Sequence, residues 1–281
     1  SLLNLANKRD EPIPIFAEMG SVNPVIILPE ILQNDCDSIA ANYAKSITLG
    51  SGQFCTNPGV IIGLKSDIFT QFVNSLSSSI LDISPSCMLH PNILKNFEKN
   101  KNKLISSNSV KVVADFKSST KPNYSSQALA LVGGLDFINN RDLQEEIFGP
   151  FSLIVECEDM QQLKSEVKQM SGQLTGTILA SNNEMSLNKD LIDILKERVG
   201  RIIFNGVPTG VEVNASMLHG GPYPASTDSR FTAVGVKSID RWVRPLSYQD
   251  FPNELLPDSL QDNNPKNILR LVNGIYTKNK I

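Results

Sequence analysis

Val25-Ile26-Ile27-Leu28, then the helix-patterned run from Asp37 to Leu49, then the turn Gly50-Ser51-Gly52-Gln53-Phe54-Cys55-Thr56-Asn57-Pro58-Gly59, then Val60-Ile61-Ile62-Gly63-Leu64: this succession decides the fold. Two short apolar, mostly β-branched runs on either side of a helix read as strand, crossover and parallel strand. Asn34 or Asp37 is placed to cap the helix between them. The same alternation continues down the chain. Asp67 to Ile80 has helical period, with Ile68, Phe72 and Leu76 on one face, and Ile93 to Leu104 reads as a helix. Strands are expected over Val110 to Phe116, Ala128 to Val132, Phe151 to Glu156, Leu174 to Ala180 and Arg201 to Phe204. Amphipathic helices are expected over Asp159 to Met170, with Asp159 and Gln162 resembling a capping box, and over Ser186 to Val199. The pattern predicts an α/β fold, an open and largely parallel sheet flanked by helices. Ligand sites in such sheets are expected beyond the carboxyl ends of the strands.

At the amino-terminal side, residues 1–18 give a short polar, helix-like segment and then an extended path imposed by Pro12 and Pro14. From about Trp242 onward Pro245, Pro252, Pro257 and Pro265 punctuate a polar tail. The expected division is 1–17, 18–235 and 236–281.

Of the 281 residues 41% are hydrophobic and 20% charged, which is ordinary for a globular protein. The formal net charge of −3 argues against nucleic acid as a partner, since phosphate binding requires a basic surface. The basic stretch from Lys95 to Lys103 reads as a solvated helix end. No apolar run approaches a membrane span, so no membrane partner is expected. Cys36, Cys55, Cys87 and Cys157 form no CxxC pair and no zinc-type spacing, and read as reduced thiols of a cytoplasmic protein. No metal is expected.

Three segments carry chemistry. Cys55 lies between a glycine-rich turn and a strand, where a side chain emerges at an element boundary. A free thiol near pKa 8.5 is only about 3% ionised at pH 7, so a base or a field must assist it. Glu18, in Glu18-Met19-Gly20-Ser21-Val22-Asn23-Pro24, is placed as a general base. In Glu145-Glu146-Ile147-Phe148-Gly149-Pro150, a carboxylate is suited to a ribose diol and an aromatic ring to a flat heterocycle. Each segment has a plainer reading: a structural cysteine, a surface glutamate, an ordinary turn.

Together, in this order, the three segments resemble the aldehyde dehydrogenase superfamily. Phe204 to Val213, His219 to Ala225 and Arg244 to Pro252 are similar to its NADP-dependent branch, which includes 2,5-dioxopentanoate (ketoglutarate semialdehyde) and fatty-aldehyde dehydrogenases. The resemblance implies that Cys55 attacks an aldehyde to give a thiohemiacetal and then a thioester, with its backbone N–H as an oxyanion donor. Glu18 would activate the hydrolytic water. Glu146 and Phe148 would bind the nicotinamide ribose and ring of NADP or NAD. His219 offers a Cys–His pairing with Cys55, but the resemblance gives the base role to Glu18, leaving the glycines after His219 to shape a loop near the substrate entrance. The stretch from Trp242 would be an oligomerisation strand, implying a homo-oligomer.

The family's amino-terminal cofactor domain has no counterpart before Ser1, and no Gly-x-Gly-x-x-Gly occurs elsewhere. The expectation is therefore the catalytic-domain half, with residues 1–17 the last element of a Rossmann-type domain, an incomplete cofactor site and no dehydrogenase turnover without the other half. The rivals are a non-enzymatic assembly module and a cofactor-independent thiol esterase.

Overall fold

The computed structural model describes residues 2–116 and 121–281. Its elements run α1 (Leu2–Asn7), β1 (Val25–Ile27), α2 (Pro29–Thr48), β2 (Val60–Leu64), α3 (Asp67–Leu81), β3 (Ser86–Cys87), α4 (Pro91–Ile105), β4 (Lys111–Asp115), β5 (Tyr124–Ser125), β6 (Ala128–Gly133), α5 (Gly134–Asn139), β7 (Phe151–Cys157), α6 (Met160–Gln169), β8 (Gln173–Leu179), α7 (Asn182–Leu187), α8 (Lys189–Lys196), β9 (Val199–Phe204), β10 (Arg270–Val272) and β11 (Ile275–Thr277). Ser1–Arg241 form one compact unit and Trp242–Ile281 another. In the second unit β10 and β11 pair antiparallel, and no strand is assigned between Trp242 and Asp250.

The main sheet has seven strands in the order β4-β6-β7-β2-β1-β8-β9. Every neighbouring pair is parallel except β4 with β6. Strand β1 is buried on both faces, which is why it reads as an unbroken apolar run. Side chains alternate across a strand. Val25 and Ile27 therefore enter the core with Leu32, Ala40 and Ile47 of α2 and Phe72 and Leu76 of α3. Ile26 enters the opposite core, with Leu163 and Val167 of α6 and Leu191 and Leu195 of α8.

Three local expectations are corrected. α2 begins at Pro29 and kinks at Asp35 (φ −132°, ψ 23°), so the helix expected from Asp37 is its second segment; the first is preceded by Leu28 without a side-chain cap. Instead Glu184 accepts a hydrogen bond from the Glu30 N–H at 2.8 Å, so a distant carboxylate serves the helix start. The run from Ser186 to Val199 is not one helix. It breaks at Asn188, and Val199 already opens β9. Asp159 caps α6 by accepting from the Gln162 N–H, but the Gln162 side chain turns to the Glu158 N–H, so the capping box is not closed.

One buried side chain positions the turns at the amino edge of this sheet. Asn23, at φ 46°, donates from Nδ2 to the carbonyls of Cys55 and Asn57, both at 2.9 Å. Its Oδ1 accepts from Ser21 Oγ at 2.9 Å and from Thr175 Oγ1 at 3.1 Å. Asn23→Ala leaves several buried groups unpaired and is expected to cost about 3 kcal/mol of stability, read by denaturant unfolding. A loss below about 1 kcal/mol would show that water replaces these bonds at no penalty.

Candidate functional site

Cys55 is presented by a turn built on consecutive left-handed residues. After α2, Gly50, Ser51 and Gly52 take φ values of 56°, 59° and 66° in succession. A Cβ on Gly52 would lie 2.2 Å from the Gly149 carbonyl, so the turn packs backbone to backbone against the Glu145–Pro150 turn. Ser51, left-handed without being glycine, is held by hydrogen bonds to Ser86 Oγ at 2.6 Å and the Cys87 carbonyl at 3.2 Å. Asn57 Nδ2 donates to the Gly149 carbonyl at 3.1 Å. Cys55 emerges from this clamp with its side chain exposed, whereas Cys36 and Cys157 are buried.

Glu18 arrives from the segment before β1. Met19 N–H donates to the Ala225 carbonyl at 2.9 Å and Thr227 N–H to the Ala17 carbonyl at 3.0 Å, which pairs this segment with residues 225–227. Between Glu18 and Cys55 stands His219, buried to 6% exposure. Its Nε2 lies 2.6 Å from Glu18 Oε1, and the ring also hydrogen-bonds the Cys55 thiol. The Cys55 hydrogen bond, then the Glu18 hydrogen bond, push the His219 pKa up to about 9 against the opposing effect of burial. At neutral pH the imidazole is therefore protonated. The His219 backbone is fixed as well, its N–H donating to Thr232 Oγ1 at 2.8 Å.

Glu146 and Phe148 sit on the turn that Gly52 packs against. Burial pushes the Glu146 pKa up to about 7, opposed by a hydrogen bond from the Ser21 N–H. Phe148 is 38% exposed. A cavity of about 460 Å³ opens beside Glu145, Glu146 and Ile147, with Lys103 and Asp142 on its rim. Glu146 lines this cavity, where a carboxylate is suited to a ribose diol, whereas Phe148 is outside its lining. Among the described residues no hydrogen bond joins Glu146 or Phe148 to Cys55, Glu18 or His219. The structure brings the first pair alongside the catalytic candidates through the shared turn.

Glu18, Cys55, Glu146 and Phe148 lie at the amino ends of the parallel strands, before β1, β2 and β7, not beyond the carboxyl ends as open sheets in general suggest. Two residues near this edge of the sheet take their place only in the folded chain. His219 offers a pairing with Cys55 in the sequence, but its contact with Glu18 needs the tertiary fold. Arg201 is the one charged residue of β9, and that isolation in an apolar strand is the signal the sequence holds. His90 caps α4 through Nδ1, and Lys101 of the basic stretch is buried over Phe97. Among the described residues no group of three or more His, Cys, Asp or Glu could hold a metal, and no helix is long and apolar enough to cross a membrane.

Because the His219 pKa is raised, its ion pair with Glu18 contributes stability that is full below about pH 6.5 and lost as pH rises through about 9. The melting-temperature deficit of His219→Gln relative to the parent protein is expected to shrink steadily between pH 6.5 and 9. A deficit constant across that window would mean that His219 is neutral in the folded protein.

A family profile described as the aldehyde dehydrogenase family matches residues 4–222. The chain is 43% identical over 99% of its length to an alpha-ketoglutaric semialdehyde dehydrogenase of Acinetobacter baylyi, covering 53% of that protein. It is 37% identical over 98% of its length to alpha-ketoglutaric semialdehyde dehydrogenase 2 of Azospirillum brasilense, covering 52% of it. The chain thus spans about half the length of the curated relatives it matches. A betaine aldehyde dehydrogenase from Staphylococcus aureus, solved with NAD+, superposes with a TM-score of 0.67 at 15% identity, over 81% of this chain and 45% of that one.

Proposed function

The chain belongs to the aldehyde dehydrogenase family, and from that premise we propose that it carries the reacting half of an enzyme that oxidises an aldehyde to a carboxylic acid with Cys55 as nucleophile. The observation that carries the reading is the contact of one protonated imidazole with both the Cys55 thiol and the Glu18 carboxylate. As Cys55 reacts, its thiol proton passes to solvent at the exposed turn, with the imidazolium beside the sulfur. Cys55 Sγ then bonds the aldehyde carbon. The Cys55 N–H makes no hydrogen bond to a protein acceptor among the described residues and is free to donate to the carbonyl oxygen as charge develops there.

A bound nicotinamide dinucleotide supplies the hydride acceptor that turns the sulfur adduct into a thioester. Glu146 would hold the nicotinamide ribose and Phe148 would pack beside the ring. Glu18, whose side chain is 35% exposed, is reached by water and takes a proton from it. The resulting hydroxide attacks the acyl carbon, the C–S bond breaks, and the departing thiolate again faces His219. The names of the relatives favour 2,5-dioxopentanoate as the aldehyde and their branch favours NADP over NAD. A homo-oligomer in which the stretch from Trp242 adds to a partner's sheet belongs to the same proposal, supported by solvent-facing Ile202 and Phe204 on edge strand β9. Four free cysteines suit a cytoplasmic setting.

In the full-length protein, NAD(P)H formation from 2,5-dioxopentanoate should vanish in Cys55→Ala. In Glu18→Gln a single-turnover burst should survive while steady turnover falls about 10²-fold or more. Loss of the burst in Glu18→Gln would move the base role away from Glu18.

The same Cys–His–Glu contact also suits ester cleavage without a cofactor. Residues 1–281 alone should hydrolyse p-nitrophenyl acetate without dependence on NADP, lose this in Cys55→Ala, and give no aldehyde-dependent NADPH. Hydrolysis that persists in Cys55→Ala would remove the thiol from the chemistry and favour a non-enzymatic role for this half.

A further inference from the structure

We propose that Arg201 is the residue that holds the far carboxylate of the aldehyde substrate beside Cys55. This deepens the aldehyde dehydrogenase reading and rests on it. Arg201 is the third residue of β9 and pairs in register with Thr175 of β8. Thr175 donates to Asn23, and Asn23 donates to the Cys55 carbonyl. The guanidinium therefore springs from the strand edge that the nucleophile turn is tied to. Electrostatically it is within reach of Cys55 itself, whose charge opposes the effect of burial on the arginine.

Its hydrogen bonding is incomplete in a way that points to a ligand. Nη2 donates to the Pro208 carbonyl at 3.1 Å. Nε is fully buried and has no partner, and no Asp or Glu pairs with the side chain among the described residues. A buried guanidinium N–H left unpaired is costly, and the cost disappears when an anion accepts from it. Arginine suits this task better than lysine, because its planar fork meets a carboxylate with two parallel donors. With Cys55 taking the aldehyde carbon and Arg201 the far carboxylate, both ends of a short oxo-acid are fixed and the carbonyl is oriented for attack.

The test compares the parent full-length protein with Arg201→Met and Arg201→Lys in two assays. The first is kcat/KM for 5-oxopentanoate relative to pentanal. The second, which needs no turnover, is the rate of Cys55 alkylation by iodoacetate relative to iodoacetamide. In Arg201→Met the preference for the charged aldehyde should fall about ten-fold or more, and the iodoacetate preference should fall with it. Arg201→Lys, which keeps the charge without the fork, should lie between and serves if the Met variant does not fold. An aldehyde preference or an alkylation ratio that stays at the parent value overturns the subsite and leaves Arg201 holding the 205–210 loop through Pro208. Failure of the parent protein to oxidise either aldehyde would refute the dehydrogenase reading instead, while the alkylation ratio would still decide the subsite.

Discussion

Asn23 holds three chain segments with one side chain, and the rest of the site hangs from it. Its amide nitrogen fixes the carbonyls on both sides of Thr56, and its oxygen takes the hydroxyls of Ser21 and Thr175. That places the nucleophile turn, the turn before β1 and the start of β8 in one hydrogen-bonded cluster. Buried polar networks of this kind are strong when every member is satisfied and costly when one is lost. The parallel sheet beneath supplies a rigid floor, since its central strands are covered on both faces. A thiol on a flexible loop would spend much of its time away from His219. Here the loop has little freedom, because Gly52 is pressed against Gly149 as well.

The chemistry of the site rests on the charge of His219. Glu18 and Cys55 both favour its protonated form. Burial opposes the imidazolium, yet the two hydrogen bonds outweigh it. Glu146 stands apart from this chain of contacts. Its raised pKa comes from burial and not from a like charge nearby. A different carboxylate shows the same shift in another setting. Glu166 is buried beside Cys157, and its pKa is also pushed up to about 7 by burial, but it lies on α6 with its thiol partner sealed in the core.

The strands are legible in the sequence because burial on both faces writes a continuous apolar run, as in Val60–Leu64 and Phe151–Cys157. The helix α3 is legible for the complementary reason, its apolar residues recurring on one face behind a Ser66 cap. The start of α2 is not, because the carboxylate that satisfies it comes from Glu184, 154 residues away. The break at Asn188 is hidden by helix-forming residues on both sides. At the site, Cys55, Glu18, Glu146 and Phe148 stand out by local setting and resemblance. His219 and Arg201 acquire their meaning only from neighbours far along the chain, and no local pattern announces those.

The charge state of His219 decides most directly whether thiol, imidazole and carboxylate act as one coupled group. The chain has only two histidines, so nitrogen-15 NMR of the imidazoles resolves His219 from His90. At pH 7 both ring nitrogens of His219 should carry protons, titrating near pH 9, with a midpoint that falls when Cys55 is replaced by alanine. A neutral His219 at pH 7, or a midpoint indifferent to Cys55, would contradict the coupling.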